Sequence, residues 1–129
     1  PMDFTEGKLI GRDIKADFPA LVNGKGYDSC WAIDNYNKGV MNTAATLSSE
    51  ASGIKVDIMT TQPGVQIYTG NWLSGCPEGK CGKSYEDYEG VALECQAFPD
   101  APNKSNFPSA VLRPGEEYKE VIKFKFSTL

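Results

Sequence analysis

The sequence predicts an antiparallel all-β fold, a sandwich or a barrel. Two observations carry this expectation. Several short runs alternate apolar and polar residues at period two, and clusters of turn-forming residues separate them. No window sustains the 3.6-residue periodicity of a helix three turns long.

The elements follow in order. Residues 40–47 are β-compatible and lead into the polar stretch 48–53. Residues 54–60 then alternate Ile54, Val56 and Ile58 with Lys55, Asp57 and Met59, so 40–60 reads as a hairpin with a six-residue loop. Pro63-Gly64 breaks the chain before a second alternating strand over 65–68. A long loop over 73–89 holds glycines, Pro77, Cys76 and Cys81. Residues 91–96 form another strand. Residues 98–114 carry four prolines and predict an irregular but ordered segment. Residues 118–126 are the last strand, with Tyr118, Glu120, Ile122, Phe124 and Phe126 on one face and Lys119, Val121, Lys123 and Lys125 on the other. Glu120 is the exception in an otherwise apolar row.

Composition bounds the function. The 129 residues suit one domain or part of one, and 40% are hydrophobic, enough to build a core. The net charge of -4 and pI near 4.8 argue against nucleic acid, because tracking phosphates needs clustered Lys and Arg. No apolar run approaches the length of a membrane span, so no membrane partner is expected. The first residues are polar and form no signal peptide, which makes a cytoplasmic location the default. A start at Pro1 rather than Met leads us to expect a longer polypeptide upstream. Four cysteines permit disulfides without establishing them. With no histidine and no second close cysteine pair, no metal site is expected, and free thiols are the preferred reading. A reversible disulfide between Cys76 and Cys81 remains the other reading.

Three long stretches carry more specific information. The first is Thr61-Gln62-Pro63-Gly64-Val65-Gln66-Ile67-Tyr68-Thr69-Gly70-Asn71. The second runs Gly90-Val91-Ala92-Leu93-Glu94-Cys95-Gln96-Ala97-Phe98-Pro99-Asp100-Ala101-Pro102-Asn103. The third is Asn106-Phe107-Pro108-Ser109, continuing through Leu112-Arg113-Pro114-Gly115-Glu116-Glu117-Tyr118. Together and in this order they resemble the aldose 1-epimerase (galactose mutarotase) family. Pro1-Met2-Asp3-Phe4 and Gly26-Tyr27-Asp28 agree with it, although Ser29 stands where the family usually has His.

The resemblance covers essentially the whole chain, and only the later portion of the family's length. It implies that residues 1–129 are the C-terminal portion of a single aldose 1-epimerase-like domain, part of a large antiparallel β-sandwich. The implied reaction interconverts the α and β anomers of an aldose such as glucose or galactose by acid–base ring opening, without a cofactor. Glu94 falls on the family's general base, and Asp28 and Gln66 on sugar-binding positions. The residues alone also allow plainer roles. Glu94 shares a strand face with Ala92 and Gln96, and that face either lines a cleft, where partial burial suits a base, or meets solvent. Gln66 fits an outward polar position in an alternating strand, and Asp28 a turn after Gly26. Asp100 and Asn103 are expected to close turns. Arg113 is expected to anchor its loop through a carboxylate. Trp31, Trp72 and Tyr68 are assigned to the core, with stacking on a sugar face as the other role for the two tryptophans.

The family's catalytic acid is a His, and this chain has none. The expected partners are therefore an aldose sugar and an N-terminal companion segment that carries the acid. The alternative is a non-catalytic carbohydrate-binding β-sandwich module.

Overall fold

The expected hairpin is present in the computed structural model, which describes residues 1–129. The chain folds into six strands: β1 (Asp28–Ala32), β2 (Asn42–Ser49), β3 (Ile54–Thr60), β4 (Gly64–Tyr68), β5 (Ala92–Gln96) and β6 (Ile122–Thr128). They form two three-stranded sheets, β1-β4-β5 and β2-β3-β6. One short helix, α1 (Pro19–Gly24), precedes them. Pro19 opens α1, where its missing N–H has no partner to lose. Lys25 ends it in the left-handed region at φ 58, with Gly26 N–H bonded back to the Leu21 carbonyl at 2.9 Å.

β2 and β3 pair antiparallel, with Leu47 opposite Val56 and Ser49 opposite Ile54. The ladder corrects the expected bounds of the first hairpin strand: it runs over Asn42–Ser49 rather than 40–47. Ser48 and Ser49 are polar, but their backbone still pairs with Lys55 and Ile54. The loop therefore shrinks to residues 50–53, closed by Gly53 N–H to the Ser49 carbonyl at 2.9 Å. Residues directly opposite on antiparallel strands share a face. Leu47, Val56 and Phe126 thus lie on one face, and Thr46, Asp57 and Lys125 on the other. Thr46 Oγ1 donates to Asp57 Oδ1 at 2.8 Å across that polar face.

β6 pairs antiparallel with β3 and begins at Ile122, four residues later than expected. The reason is local. Thr61 N–H bonds the Val121 carbonyl at 3.1 Å, and Val121 N–H bonds Thr61 Oγ1 at 2.9 Å. Gln62 Nε2 donates to Tyr118 Oη at 2.7 Å, and the Thr61 hydroxyl donates to the Glu120 carboxylate. Side chains replace ladder partners here, so regular pairing starts only afterwards. The same contacts account for Glu120 in the apolar row.

The chain divides into two compact units, Pro1–Ser29 with Gln66–Leu93 and Cys30–Val65 with Glu94–Leu129. In the first, Leu21 and Tyr27 are buried together with the polar Thr69 and Asn71. In the second, Ile33, Ile58, Val65 and Ala101 form the core. Gly64 is required there: a Cβ would stand 2.8 Å from Cys30 Sγ and 3.0 Å from the Phe98 ring. The apolar row of β6 stays largely uncovered, with Phe124 49% and Phe126 70% exposed. No helix is long and apolar enough to cross a membrane.

Candidate functional site

The geometry around Asp28 begins one residue earlier. Tyr27 is fully buried, and its N–H bonds Thr69 Oγ1 at 3.1 Å while its carbonyl accepts from Thr69 N–H at 3.1 Å. Asn71, also fully buried, donates through Nδ2 to the Gly24 carbonyl at 2.8 Å and the Tyr27 carbonyl at 3.0 Å. Its Oδ1 accepts from Thr69 Oγ1 at 2.5 Å. Buried polar groups survive only when paired, and these are paired with one another. The Tyr27 hydroxyl donates to the Pro1 carbonyl at 3.1 Å, and the Phe4 ring meets the Tyr27 ring edge-on at 5.1 Å. This knot fixes the backbone from which Asp28 opens β1.

Asp28 and Gln66 come together. Gln66 Nε2 donates to Asp28 Oδ1 at 2.7 Å. Asp28 is exposed and Gln66 half-buried. Gln66 Oε1 is buried with no hydrogen-bond partner. An unmade bond on a buried acceptor costs about 1–3 kcal/mol. The pair therefore offers an exposed carboxylate oriented by an amide, a chemistry suited to hydroxyl groups.

Glu94 lies in the middle of β5 and is exposed, so the partial burial that suits a base is not seen. Its neighbours Leu93 and Cys95 are half-buried. Glu94 belongs to the second unit, Asp28 and Gln66 to the first.

Trp72 departs from its expected place in the core. It is 57% exposed, and Lys25 Nζ sits 3.9 Å from the ring centroid. Lys25 caps one face of the ring and keeps it at the surface. Trp31 and Tyr68 are half-buried, and the Tyr68 hydroxyl accepts from Trp72 N–H at 3.0 Å. Asn103 Nδ2 donates to Asp100 Oδ1 at 2.5 Å, closing the turn as expected of these residues. Arg113 meets a carboxylate through its backbone N–H, 2.8 Å from Glu116 Oε2, rather than through its guanidinium. All four cysteines are free. Burial pushes the Cys30 and Cys95 thiols up, while Cys76 and Cys81 are exposed.

Sequence reasoning missed the supporting pair Thr69 and Asn71. The available signal was two polar residues flanking Gly70 at the end of a strand, inside the most specific motif. Strand β1 was missed too, because Asp28-Ser29-Cys30-Trp31-Ala32 runs from polar to apolar without alternating.

These all-β antiparallel sheets define a portion of a β-sandwich protein, as the sequence predicts, and comparison with known proteins agrees. The aldose 1-epimerase family model matches residues 1–125. Galactose mutarotase from Rattus norvegicus is 51% identical over 83 residues, covering 64% of this chain and 24% of that protein. Aldose 1-epimerase from Escherichia coli is 34% identical over 126 residues, covering 96% of this chain and 36% of that protein. A crystal structure of a GalM/aldose epimerase homologue from C. elegans aligns with a TM-score of 0.69 at 33% identity, over 80% of this chain and 30% of that one. The chain belongs to the aldose 1-epimerase family. It spans 24% to 36% of the length of these curated relatives.

Proposed function

We propose that this chain is the C-terminal portion of a single mutarotase domain that interconverts the α and β anomers of an aldose such as glucose or galactose. Asp28 and Gln66 bind ring hydroxyls. Glu94 removes the proton from the anomeric hydroxyl while an acid protonates the ring oxygen, and the ring opens. Rotation about the C1–C2 bond and reclosure return both protons and give the other anomer. The observation that carries this reading is the 2.7 Å bond between Gln66 and Asp28, two side chains that come from separate family motifs. An exposed carboxylate oriented by the Gln66 amide is an arrangement that suits a sugar hydroxyl.

The acid comes from a companion segment N-terminal to the part described here. Two features support this: the chain has no histidine, and Ile122, Phe124 and Phe126 leave an apolar row on the edge strand β6 that such a segment would cover. Four free thiols fit a reducing, cytoplasmic compartment.

The absence of any histidine also favours a second reading, a carbohydrate-binding module without turnover. Polarimetry of fresh α-glucose and α-galactose separates the two. Acceleration above the buffer rate that Glu94→Gln abolishes, with sugar binding retained, supports the enzyme. Binding without acceleration, even when the N-terminal segment is supplied, supports the module.

A further inference from the structure

We infer that the Trp72 indole is a stacking platform for the pyranose ring held by Asp28 and Gln66, an inference that rests on the sugar-binding reading above. Alternate residues of a strand share a face, so Gln66 and Tyr68 point to the same side of β4. Asp28 lies at that side, bonded to Gln66. The Tyr68 hydroxyl then bonds the Trp72 backbone N–H at 3.0 Å, which ties the backbone that carries the indole to the same row.

A second path leads to the same place. A Cβ built on Gly24 would stand 3.7 Å from Asp28 Cβ and 3.9 Å from Asn71 Nδ2. Asp28 and Asn71 thus flank one glycine. The next residue along each segment, Lys25 after Gly24 and Trp72 after Asn71, forms the cation–π pair at 3.9 Å. The stacked pair therefore lies one residue along each segment from the positions that meet beside Asp28.

Lys25 sits in the left-handed region at φ 58, an uncommon conformation for a residue with a side chain. Its Nζ is 3.5 Å from Asp87 Oδ2. The ammonium is held against one face of the indole, and 57% of Trp72 stays exposed. A pyranose presents ring hydroxyls at its edge and C–H groups on its faces. The edge suits Asp28 and Gln66, and a C–H face suits a flat, large aromatic surface. An indole held rigid from one side offers such a surface at little cost in side-chain freedom.

The test is binding of D-galactose and D-glucose to the full chain, measured by calorimetry for the parent, Trp72→Ala, Trp72→Phe and Asp28→Asn, with melting curves to check folding. Trp72→Ala is expected to weaken binding by roughly 5- to 100-fold, the range of one stacking contact. Trp72→Phe keeps an aromatic face and is expected to recover most of it. Trp31→Phe leaves Trp72 as the sole indole, since the chain has two tryptophans, and its emission should change saturably with sugar. Trp72→Ala binding within twofold of the parent, while Asp28→Asn loses binding, overturns the platform and leaves the sugar site standing. An unchanged emission of Trp72 at saturating sugar also overturns it. A parent chain that binds neither sugar overturns the sugar-binding reading, and the platform falls with it.

Discussion

A Cβ on Gly26 would stand 2.5 Å from Asn71 Oδ1. No side chain fits in that gap, and the glycine's φ of 149 is one that other residues rarely adopt. Gly26→Ala must displace Asn71, whose amide bonds Gly24 and Tyr27. We expect a loss of about 2–4 kcal/mol in urea unfolding, and a similar loss for Asn71→Ala, which removes the bond to the Gly24 carbonyl and one of the bonds to the buried Tyr27 carbonyl. Both variants should also bind sugar more weakly, because the backbone beneath Asp28 moves.

The Asp28–Gln66 bond predicts a pH effect on engineering. Gln66→Glu places two carboxylates where an amide met a carboxylate. Like charges at that distance cannot both be ionised cheaply, so one pKa rises. Sugar affinity of the variant should fall at pH 7 and recover in part as pH drops toward ~5 and the pair takes up a proton. The parent should lack that recovery. Calorimetry at both pH values checks it.

Acid should loosen the loop that carries Trp72. Hydrogen bonding to the Ser74 backbone N–H holds the Asp87 carboxyl below the usual carboxylate range, with Ser74 Oγ and Lys25 adding to the effect. A folded pKa below the unfolded one gives stability that is present above the unfolded value and lost as pH falls through the folded value. Melting temperature should therefore decline below about pH 4. In Asp87→Asn that part of the decline should be missing. Comparing the two melting profiles over the acid range measures it.

Thiol chemistry should split into two classes. Cys76 and Cys81 are exposed, while Cys30 and Cys95 are half-buried with thiols pushed up by burial. A thiolate is the reactive form. An aromatic disulfide reagent at pH 8 should modify Cys76 and Cys81 quickly and Cys30 and Cys95 only on unfolding. Four equally fast thiols would contradict the packing around Gly64 and β5.

The legible parts of the fold were those with strong local pattern. Residues 54–60 and 65–68 alternate cleanly, and both are strands close to their expected bounds. The displaced start of β6 was not legible, because the contacts that delay it come from Thr61, 59 positions away from Glu120. Trp72 went to the core on hydrophobicity alone, and only the structure reveals the lysine that holds it at the surface. The candidate site divides in the same way. The motifs named Asp28, Gln66 and Glu94, but no periodicity in the sequence could foretell that the first two bond each other.

The pairing of Tyr27 with Thr69 joins positions 42 apart in the chain. Such a contact forms only after the intervening segment has closed into a loop, which sets the order of events in folding. The short helix and the β2–β3 hairpin are local and can form early. The backbone under Asp28 cannot. The Asp28 carboxylate thus belongs to the slow, non-local part of the folding reaction, and conditions that retard loop closure should delay the recovery of sugar binding more than the recovery of secondary structure.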